Sequence, residues 1–277
     1  MAVLLALLAA VTYGSGDFLG GIASKRTHVL SVVVVSQAIG AALVLATLPF
    51  ASGTGPVRGA VMWGAAAGVA GGVGVILLYR GLAVGRMAVV APVTGVVAAI
   101  VPLVVGLARG ERPSVWAFSG AVIALAAVAL VSRGHDEHGA AARSGLPEAF
   151  GAGCGFGAFF ILLDASGDAS GVWPLVGARI ASLALCLGIA LVLRQSLRPT
   201  AGTTPAIVGA GILDVVANLA YLAASRMGLL SMVAVVTSTY PAATIVLARV
   251  VLDERLRRVQ TVGVACAIVG VALIAVG

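Results

Sequence analysis

Long apolar stretches separated by short polar segments make up nearly the whole chain. Six of these stretches contain no charged residue, and four more contain one or two. A helix needs about 20 mostly apolar residues to cross the hydrocarbon core of a bilayer. The pattern therefore predicts ten membrane-spanning helices. They lie near residues 2–23, 29–50, 58–80, 87–108, 114–132, 147–166, 172–193, 204–224, 229–250 and 258–276.

The polar segments between these spans are short and leave no room for a soluble domain. The longest, Arg133 to Glu148, lies in the middle of the chain. We expect a linker at 135–146 that joins one five-helix half, 1–134, to a second, 147–277. The linker contains His135, Asp136, Glu137 and His138. A metal site there is the less favoured alternative, so we predict no metal.

The composition indicates the same class of protein. Hydrophobic residues make up 61% of the chain and charged residues 10%, whereas a soluble domain carries about 25% charged residues. The net charge is +7, but most arginines stand singly or in pairs between apolar stretches, where they anchor helix ends. This is not the basic surface of a nucleic-acid-binding protein. We expect an all-α integral membrane protein, multi-pass in the cell (plasma or inner) membrane, whose partners are the lipid bilayer and a small molecule.

The two halves of the chain repeat one another at an offset of 143 residues. The most specific match is Glu111-Arg112 after the fourth span, which falls on Glu254-Arg255 after the ninth. Matched glycines are Gly14 with Gly157, Gly85 with Gly228, and Gly120 with Gly263. Because each half crosses the membrane an odd number of times, the second half enters from the opposite side. The sequence thus predicts two inverted five-helix repeats, an architecture common among transporters.

Five sequence features follow one another along the chain in a specific order. The first span carries an aromatic-Gly-small-polar-aromatic segment at 13–18, and the third runs into the fourth through 79–85. The seventh span carries Arg179. The fourth and ninth spans carry prolines, and each half closes with an acidic turn and a Gly-bearing apolar helix. In this order the features resemble those of the drug/metabolite transporter superfamily, specifically its ten-helix EamA-type members.

The resemblance covers essentially the whole chain and implies a function. It implies a secondary active transporter of small organic metabolites, amino acids or drugs that works by alternating access without ATP, with export as the favoured direction. The chain departs from the family pattern at Asp17, where a neutral polar residue is more common, and at Tyr13, where Trp is common. The second span also has Gln37 where its counterpart has Arg179. These departures concern the substrate rather than the fold.

Ionisable side chains at membrane depth are functional candidates, because they are costly there unless paired or hydrated. Asp214 lies near the middle of the eighth span, Arg179 lies in the seventh, and Asp17 in the last third of the first. Asn218 and Tyr221 follow Asp214 on the same helix face. We predict that this polar stripe lines a central substrate pathway. The alternative is a structural ion pair of Arg179 with Asp214 or Asp17, and the two interpretations are compatible.

The same residues suggest how transport is driven and how a substrate is held. A carboxylate in a low-dielectric site can bind a proton near neutral pH, so Asp214 or Asp17 is a candidate for proton or ion coupling. Tyrosines are candidates for hydroxyl or cation–π contacts with a substrate, or else are anchors at the membrane interface. The candidates are Tyr13, Tyr79, Tyr221 and Tyr240. Tyr240 stands apart because it falls in the middle of its span.

Prolines inside the spans are candidates for gating hinges. Pro92 and Pro102 lie in the fourth span and Pro241 in the ninth. A proline removes one helix hydrogen bond and bends the helix, although a simple kink is an equal alternative.

Glycines four residues apart in the third span predict a close helix contact. They are Gly64, Gly68 and Gly72. The contact lies either within the monomer, which we favour, or across a homodimer.

Other functional classes fit the sequence less well. A channel requires rings of like charge or a continuous polar stripe, and the spans carry only scattered polar residues. A non-transporting membrane scaffold is the second alternative, although it would not require Asp214 and Arg179. An intramembrane enzyme is not supported, since His28, His135 and His138 all fall outside the spans. We predict no catalytic residues and no cofactor.

Overall fold

The computed structural model describes residues 1–50, 58–85, 87–132, 145–167, 171–252 and 258–276. Within these ranges the chain is helical and has no strand. The α-helices are α1 (Ala2–Ser24), α2 (Val29–Thr47), α3 (Arg58–Val84), α4 (Met87–Ala108), α5 (Val115–Ser132), α6 (Leu146–Asp164), α7 (Trp173–Val192), α8 (Thr204–Ser225), α9 (Leu230–Thr237), α10 (Tyr240–Leu252) and α11 (Arg258–Val276). A short 3-10 helix, Leu48–Phe50, follows α2.

The helices confirm the all-α membrane fold predicted from the apolar stretches. In the described part of the chain, eight helical segments are long and apolar enough to cross a membrane, with α9 and α10 counted together. The α5 helix adds a shorter apolar stretch, Val115–Ala127, and α11 occupies the tenth predicted span. Most of the linker, and the acidic turn that would close the second half, lie outside the described residues.

The ninth span differs from its prediction because it is two helices rather than one. The α9 helix ends at Thr237 and α10 begins at Tyr240. Pro241 has no N–H to donate to the carbonyl of Thr237, so the helix ladder fails at this point. Proline is instead well suited to the first turn of a new helix, and α10 starts there. By contrast, α4 continues unbroken through Pro92 and Pro102.

Helix pairs between the halves occur twice with their roles exchanged. The α1 helix packs on α8, and its counterpart α6 packs on α3. In the same way α4 packs on α6, and its counterparts α9 and α10 pack on α1. The pairs α2–α7 and α5–α11 join equivalent helices across the centre. This exchange is what two inverted repeats require, and it places the centre of the molecule between the halves.

The glycine stripe of α3 packs against α7 of the same chain. A Cβ at Gly64 would overlap the backbone of Pro174, and one at Gly68 would overlap the backbone of Ala178. At Gly72 the nearest atom to such a Cβ is Cβ of Ser182, at 3.3 Å. The absence of side chains thus lets the two backbones touch. This use of the stripe is within the monomer, the contact that we favoured, and lends no support to the alternative of a homodimer.

Substituting Gly64 tests whether this close approach stabilises the fold. Gly64→Ala is expected to force α3 away from α7 and to lower stability by about 1–3 kcal/mol, the usual cost of overpacking. The matched control is Gly188→Ala in α7, where an added Cβ meets nothing within 4 Å. The control should be neutral or slightly stabilising. Thermal melting of the purified protein in detergent measures both, and equal melting temperatures for the two variants would contradict the prediction.

Candidate functional site

A cavity lies between the two halves at the middle of the helix bundle. It encloses about 840 Å³ of space between atoms, including the part open to solvent. Its walls come from both halves: α1, α2 and α3 on one side and α6, α7, α8 and α10 on the other. A ligand in this cavity would contact both repeats at once.

An ion pair between α7 and α8, which follow one another along the chain and both pack on α2, forms part of the wall. Arg179 is buried, with 6% of its surface exposed. Its guanidinium pairs with the Asp214 carboxylate and donates a hydrogen bond to Oε1 of Gln37 in α2. Gly40, one turn beyond Gln37, leaves room for the guanidinium, since a Cβ there would lie 3.2 Å from its Cζ. From the sequence, cavity lining and ion pairing were two compatible interpretations. In the structure Arg179 and Asp214 line the cavity and also pair with each other.

Asn218 joins this pair to the first helix. Its Nδ2 donates to the main-chain oxygen of Asp214 at 2.6 Å, and its Oδ1 accepts from the Tyr13 hydroxyl at 2.9 Å. Asn218 is thereby fixed in orientation. The chain of contacts from Tyr13 through Asn218 to Asp214 links α1 to the ion pair.

Asp17 lines the cavity without a direct partner. Among the described residues, no hydrogen bond or ion pair engages its carboxylate, although it lies near enough to Asp214 to interact with it electrostatically. Tyr240 also lines the cavity. Its side chain is 3% exposed, and no described residue bonds its hydroxyl.

The start of α10 is held firmly beside α1. Gly14 packs on the main-chain oxygen of Tyr240, and the Thr244 hydroxyl donates to the main-chain oxygen of Gly14 at 2.9 Å. Gly14 lies one turn before Asp17. The break between α9 and α10 is therefore close to the unpartnered carboxylate.

An aromatic wall from α6 covers one side of the cavity. Phe156, Phe159 and Phe160 all line it. Tyr221 lies behind them rather than in the wall: it is fully buried, its ring stacks on Phe160 with centroids 4.3 Å apart, and its hydroxyl donates to the Phe160 main-chain oxygen at 3.3 Å. Seven residues separate Tyr221 from Asp214, about 10 Å along the helix axis, so the predicted polar stripe reaches the cavity only through Asp214 and Asn218.

Sequence reasoning missed part of this wall. Gln37 was noted only as a departure from the family pattern, yet a polar side chain in an otherwise apolar span was a usable signal. The three phenylalanines recur at three- and four-residue spacing, which places them on one helix face. Tyr79, for which a substrate contact and an interfacial anchor were the two interpretations, lines the cavity and packs over Gly20 of α1.

Other charged residues lie away from the cavity and join helix ends. Arg109 pairs with Asp164 at 3.5 Å, and Arg80 with Glu148 at 3.6 Å. The Glu111 carboxylate accepts hydrogen bonds from the N–H groups of Leu230 and Ser231, each at 3.0 Å. It thereby caps α9. In the described ranges no cluster of three or more His, Cys, Asp or Glu side chains has the arrangement of a metal site.

A family profile matches both halves of the chain. The match covers residues 1–133 and 143–276 and is to the EamA-like transporter family. This chain belongs to the EamA-like transporter family. It is therefore a multi-pass membrane transporter, broadly of small molecules, as the resemblance implied.

Known structures agree with this assignment at the level of the fold. One solved crystal structure of a protein is similar to this EamA-like transporter with a TM-score of 0.67. The similarity covers 99% of this chain and 96% of that one, at 17% sequence identity. That identity supports a shared fold only. No curated protein matches the sequence.

A mutant cycle on Arg179 and Asp214 tests the pairing in this EamA-like transporter. Asp214→Asn should destabilise more than Arg179→Gln, because it leaves a buried guanidinium that cannot lose its charge. The loss should approach the ~3–5 kcal/mol expected of a lone buried charge. The Asp214 side chain is 31% exposed. Solvent can therefore stabilise its charge in Arg179→Gln better than it can stabilise the buried guanidinium in Asp214→Asn. The double variant should recover part of the loss in melting temperature.

The Arg109–Asp164 pair supplies a matched control for this cycle. These side chains are 47% and 26% exposed, and removing an exposed pair costs about 1 kcal/mol or less. Strictly additive losses for Arg179 and Asp214 would show that the two charges do not stabilise each other.

Proposed function

We propose that this EamA-like transporter is a secondary carrier that moves a small organic molecule by alternating access through the cavity between its halves. The observation that carries the proposal is the Arg179–Asp214 ion pair in the wall of a cavity shared by both repeats. The proposal includes export across the cell membrane, a direction and location that rest on the family resemblance.

The exchanged helix pairs support alternating access. In an inverted repeat, each half can adopt the conformation that the other half has, which closes one side of the cavity and opens the other. The contacts of α1 with α8 and of α6 with α3 are such a pair. A substrate held between the halves would then face each side of the membrane in turn.

The polar contacts favour a carrier over a channel. The charged residues of the described wall are Arg179, Asp214 and Asp17, and single charges on different helices do not form the rings typical of a channel filter. Arg179 and Asp214 instead form a pair in which each is the other's partner. A polar group of the substrate can compete for either member of that pair. Breaking and restoring that pair would link substrate binding to movement of α7 and α8.

Proton coupling is part of the proposal. Asp17 lies in the cavity wall without a partner among the described residues, so we propose that its carboxylate carries the proton, with Asp214 as the alternative carboxylate. Saturable uptake should therefore respond to a pH gradient. A double variant, Asp17→Asn with Asp214→Asn, that kept full and pH-independent activity would rule this coupling out.

Uptake into proteoliposomes tests the carrier proposal directly. A pooled set of labelled amino acids, nucleosides and cationic drugs is offered with and without a pH gradient. We expect saturable uptake of at least one compound, and a loss of about tenfold or more in Asp214→Asn, the range for a lost charge-assisted hydrogen bond. The control Asp164→Asn, whose carboxylate pairs with Arg109 away from the cavity, should transport as the unmodified chain does.

Two results would contradict the carrier. Flux that does not saturate would indicate a channel, and no flux of any pooled compound would contradict a carrier of these compound classes. Correct folding of each variant is checked by its melting temperature before reconstitution.

The break before Pro241 is the proposed hinge, and Pro241→Ala tests it. Alanine restores the N–H that can bond the Thr237 carbonyl, so α9 and α10 can join into one helix. We expect a lower maximal transport rate with substrate affinity changed less, since hinge positions control conformational steps. Pro102→Ala in the unbroken α4 is the control. If Pro102→Ala slows transport and Pro241→Ala does not, the hinge lies in α4 instead.

A further inference from the structure

The charges of the cavity wall do not balance. Among the described lining residues, Arg179 is the cation and Asp214 and Asp17 are the anions. Arg179 pairs with Asp214, which leaves the Asp17 carboxylate uncompensated. An ionised group in a low-dielectric site is costly unless it is paired. The described wall of the cavity therefore has a place for one positive charge.

A second, independent feature points to the same place. The Tyr240 hydroxyl is buried in the cavity wall and no described residue bonds it. Leaving a buried hydroxyl without a hydrogen bond is unfavourable, so a ligand that bonds the Tyr240 hydroxyl would be stabilised there. Because Gly14 and Thr244 hold α10 against α1 one turn from Asp17, both groups face one region of the cavity.

The remaining walls of this region are aromatic. Tyr13 lies one turn before Asp17 on α1, and Tyr79 packs over Gly20 almost one turn after it. The phenylalanine side chains of α6 line the cavity as well. Aromatic faces attract cations and accept apolar groups. This combination suits an organic cation better than a hydrated metal ion.

We propose that the substrate of this carrier is an organic cation, a protonated amine attached to an apolar or aromatic body. Its ammonium group binds the Asp17 carboxylate and the Tyr240 hydroxyl, and its body packs on Phe156, Phe159 and Phe160. This inference rests on the proposed carrier function and names the chemical class of its substrate.

The opposite charge type is disfavoured by the occupied partners of Arg179. Its guanidinium already bonds Asp214 and Gln37, so a substrate carboxylate would have to displace one of them. An anion would also approach Asp17 and be repelled. Asp17 is thus a specificity-determining residue, whereas Arg179 and Asp214 form a pair that is neutral as a unit.

A proton competes with the substrate for Asp17. Three titratable groups face the Asp17 carboxylate from the helices that pack against α1. They are Asp214 in α8, Tyr79 in α3 and Tyr240 in α10, and Arg179 lies beyond Asp214. Tyr13 is the titratable neighbour on α1 itself. A permanently charged ligand should lose affinity as the pH is lowered, because protonation removes the charge that binds it.

Four probes of similar shape separate the charge types. These are 2-phenylethylamine, its permanently charged analogue phenethyltrimethylammonium, the anion 3-phenylpropionate, and zwitterionic phenylalanine. Binding to the full chain in detergent is measured by calorimetry, and uptake is measured in proteoliposomes. We expect the two cations to bind and to be transported saturably, and the anion to do neither. Phenylalanine should bind at least about tenfold more weakly than 2-phenylethylamine.

Variants then assign the binding to Asp17 and Tyr240. Asp17→Asn should weaken both cations by about tenfold or more and abolish the pH dependence of phenethyltrimethylammonium binding, while Asp17→Glu should retain most of the affinity. Tyr240→Phe should weaken 2-phenylethylamine by about two- to tenfold and leave phenethyltrimethylammonium unchanged, because that ligand has no N–H to donate. Asp164→Asn is the control for removing a carboxylate elsewhere.

The outcomes distinguish this inference from the carrier proposal. Saturable transport of 3-phenylpropionate or phenylalanine without binding of the cations would overturn the organic-cation inference and leave the carrier intact. Cation binding that Asp17→Asn does not change would also overturn it. Absence of transport for these probes and for the whole labelled pool would overturn both. If Asp17→Asn fails to fold, the Asp17→Glu variant and the ligand-selective effect of Tyr240→Phe still decide the question.

Discussion

The need to neutralise a buried guanidinium organises the centre of this protein. Arg179 is almost inaccessible to solvent, and an arginine cannot discard its charge. It must therefore have Asp214 beside it on α8 and Gln37 across from it on α2. These partners fix three helices from both halves relative to one another. Gly40 leaves space for the guanidinium, and Gly64 and Gly68 of α3 let the backbones of α3 and α7 touch.

The balance of charge explains why one wall of the cavity differs from the other. On the side of α7 and α8, a cation and an anion satisfy each other, and Asn218 and Tyr13 extend their network. On the side of α1 and α10, an acid and a buried hydroxyl lack partners among the described residues. We propose that a ligand completes this second region, since the few polar groups of a binding site orient the molecule that it holds.

The sequence predicted the membrane fold well because the bilayer restricts the choices. Only helices satisfy every backbone group inside a single spanning segment, so apolar length alone located nearly every helix. The α9–α10 break was missed because hydropathy carries no information about it. Pro241 was the available signal, but Pro92 and Pro102 give the same signal in α4, which does not break. Only the packing around each proline separates the two cases.

Individual site residues were predicted less evenly. Depth in a span was sufficient to select Asp214, Arg179 and Asp17, because charge at that depth is expensive. Which acid would pair with Arg179 depends on how α2 packs against both α7 and α8, and this could not be read from one sequence. Tyr221 shared a helix face with Asp214, yet the aromatic ring of Phe160 covers it. Helix periodicity predicts the direction in which a side chain points. Whether that side chain reaches the cavity depends on where it lies along the helix axis relative to the neighbouring helices.

The cap on α9 has a consequence for how the two halves can part. Glu111 belongs to the first repeat, but the two N–H groups that donate hydrogen bonds to its carboxylate belong to the second. Every α-helix begins with N–H groups that have no partner inside the helix. Moving the α4–α5 turn away would strip α9 of its acceptor and leave the Glu111 carboxylate without its two donors. Only water can then supply an acceptor for these N–H groups and donors for the Glu111 carboxylate. Separation of the two halves at this end of the interface therefore requires water to enter it.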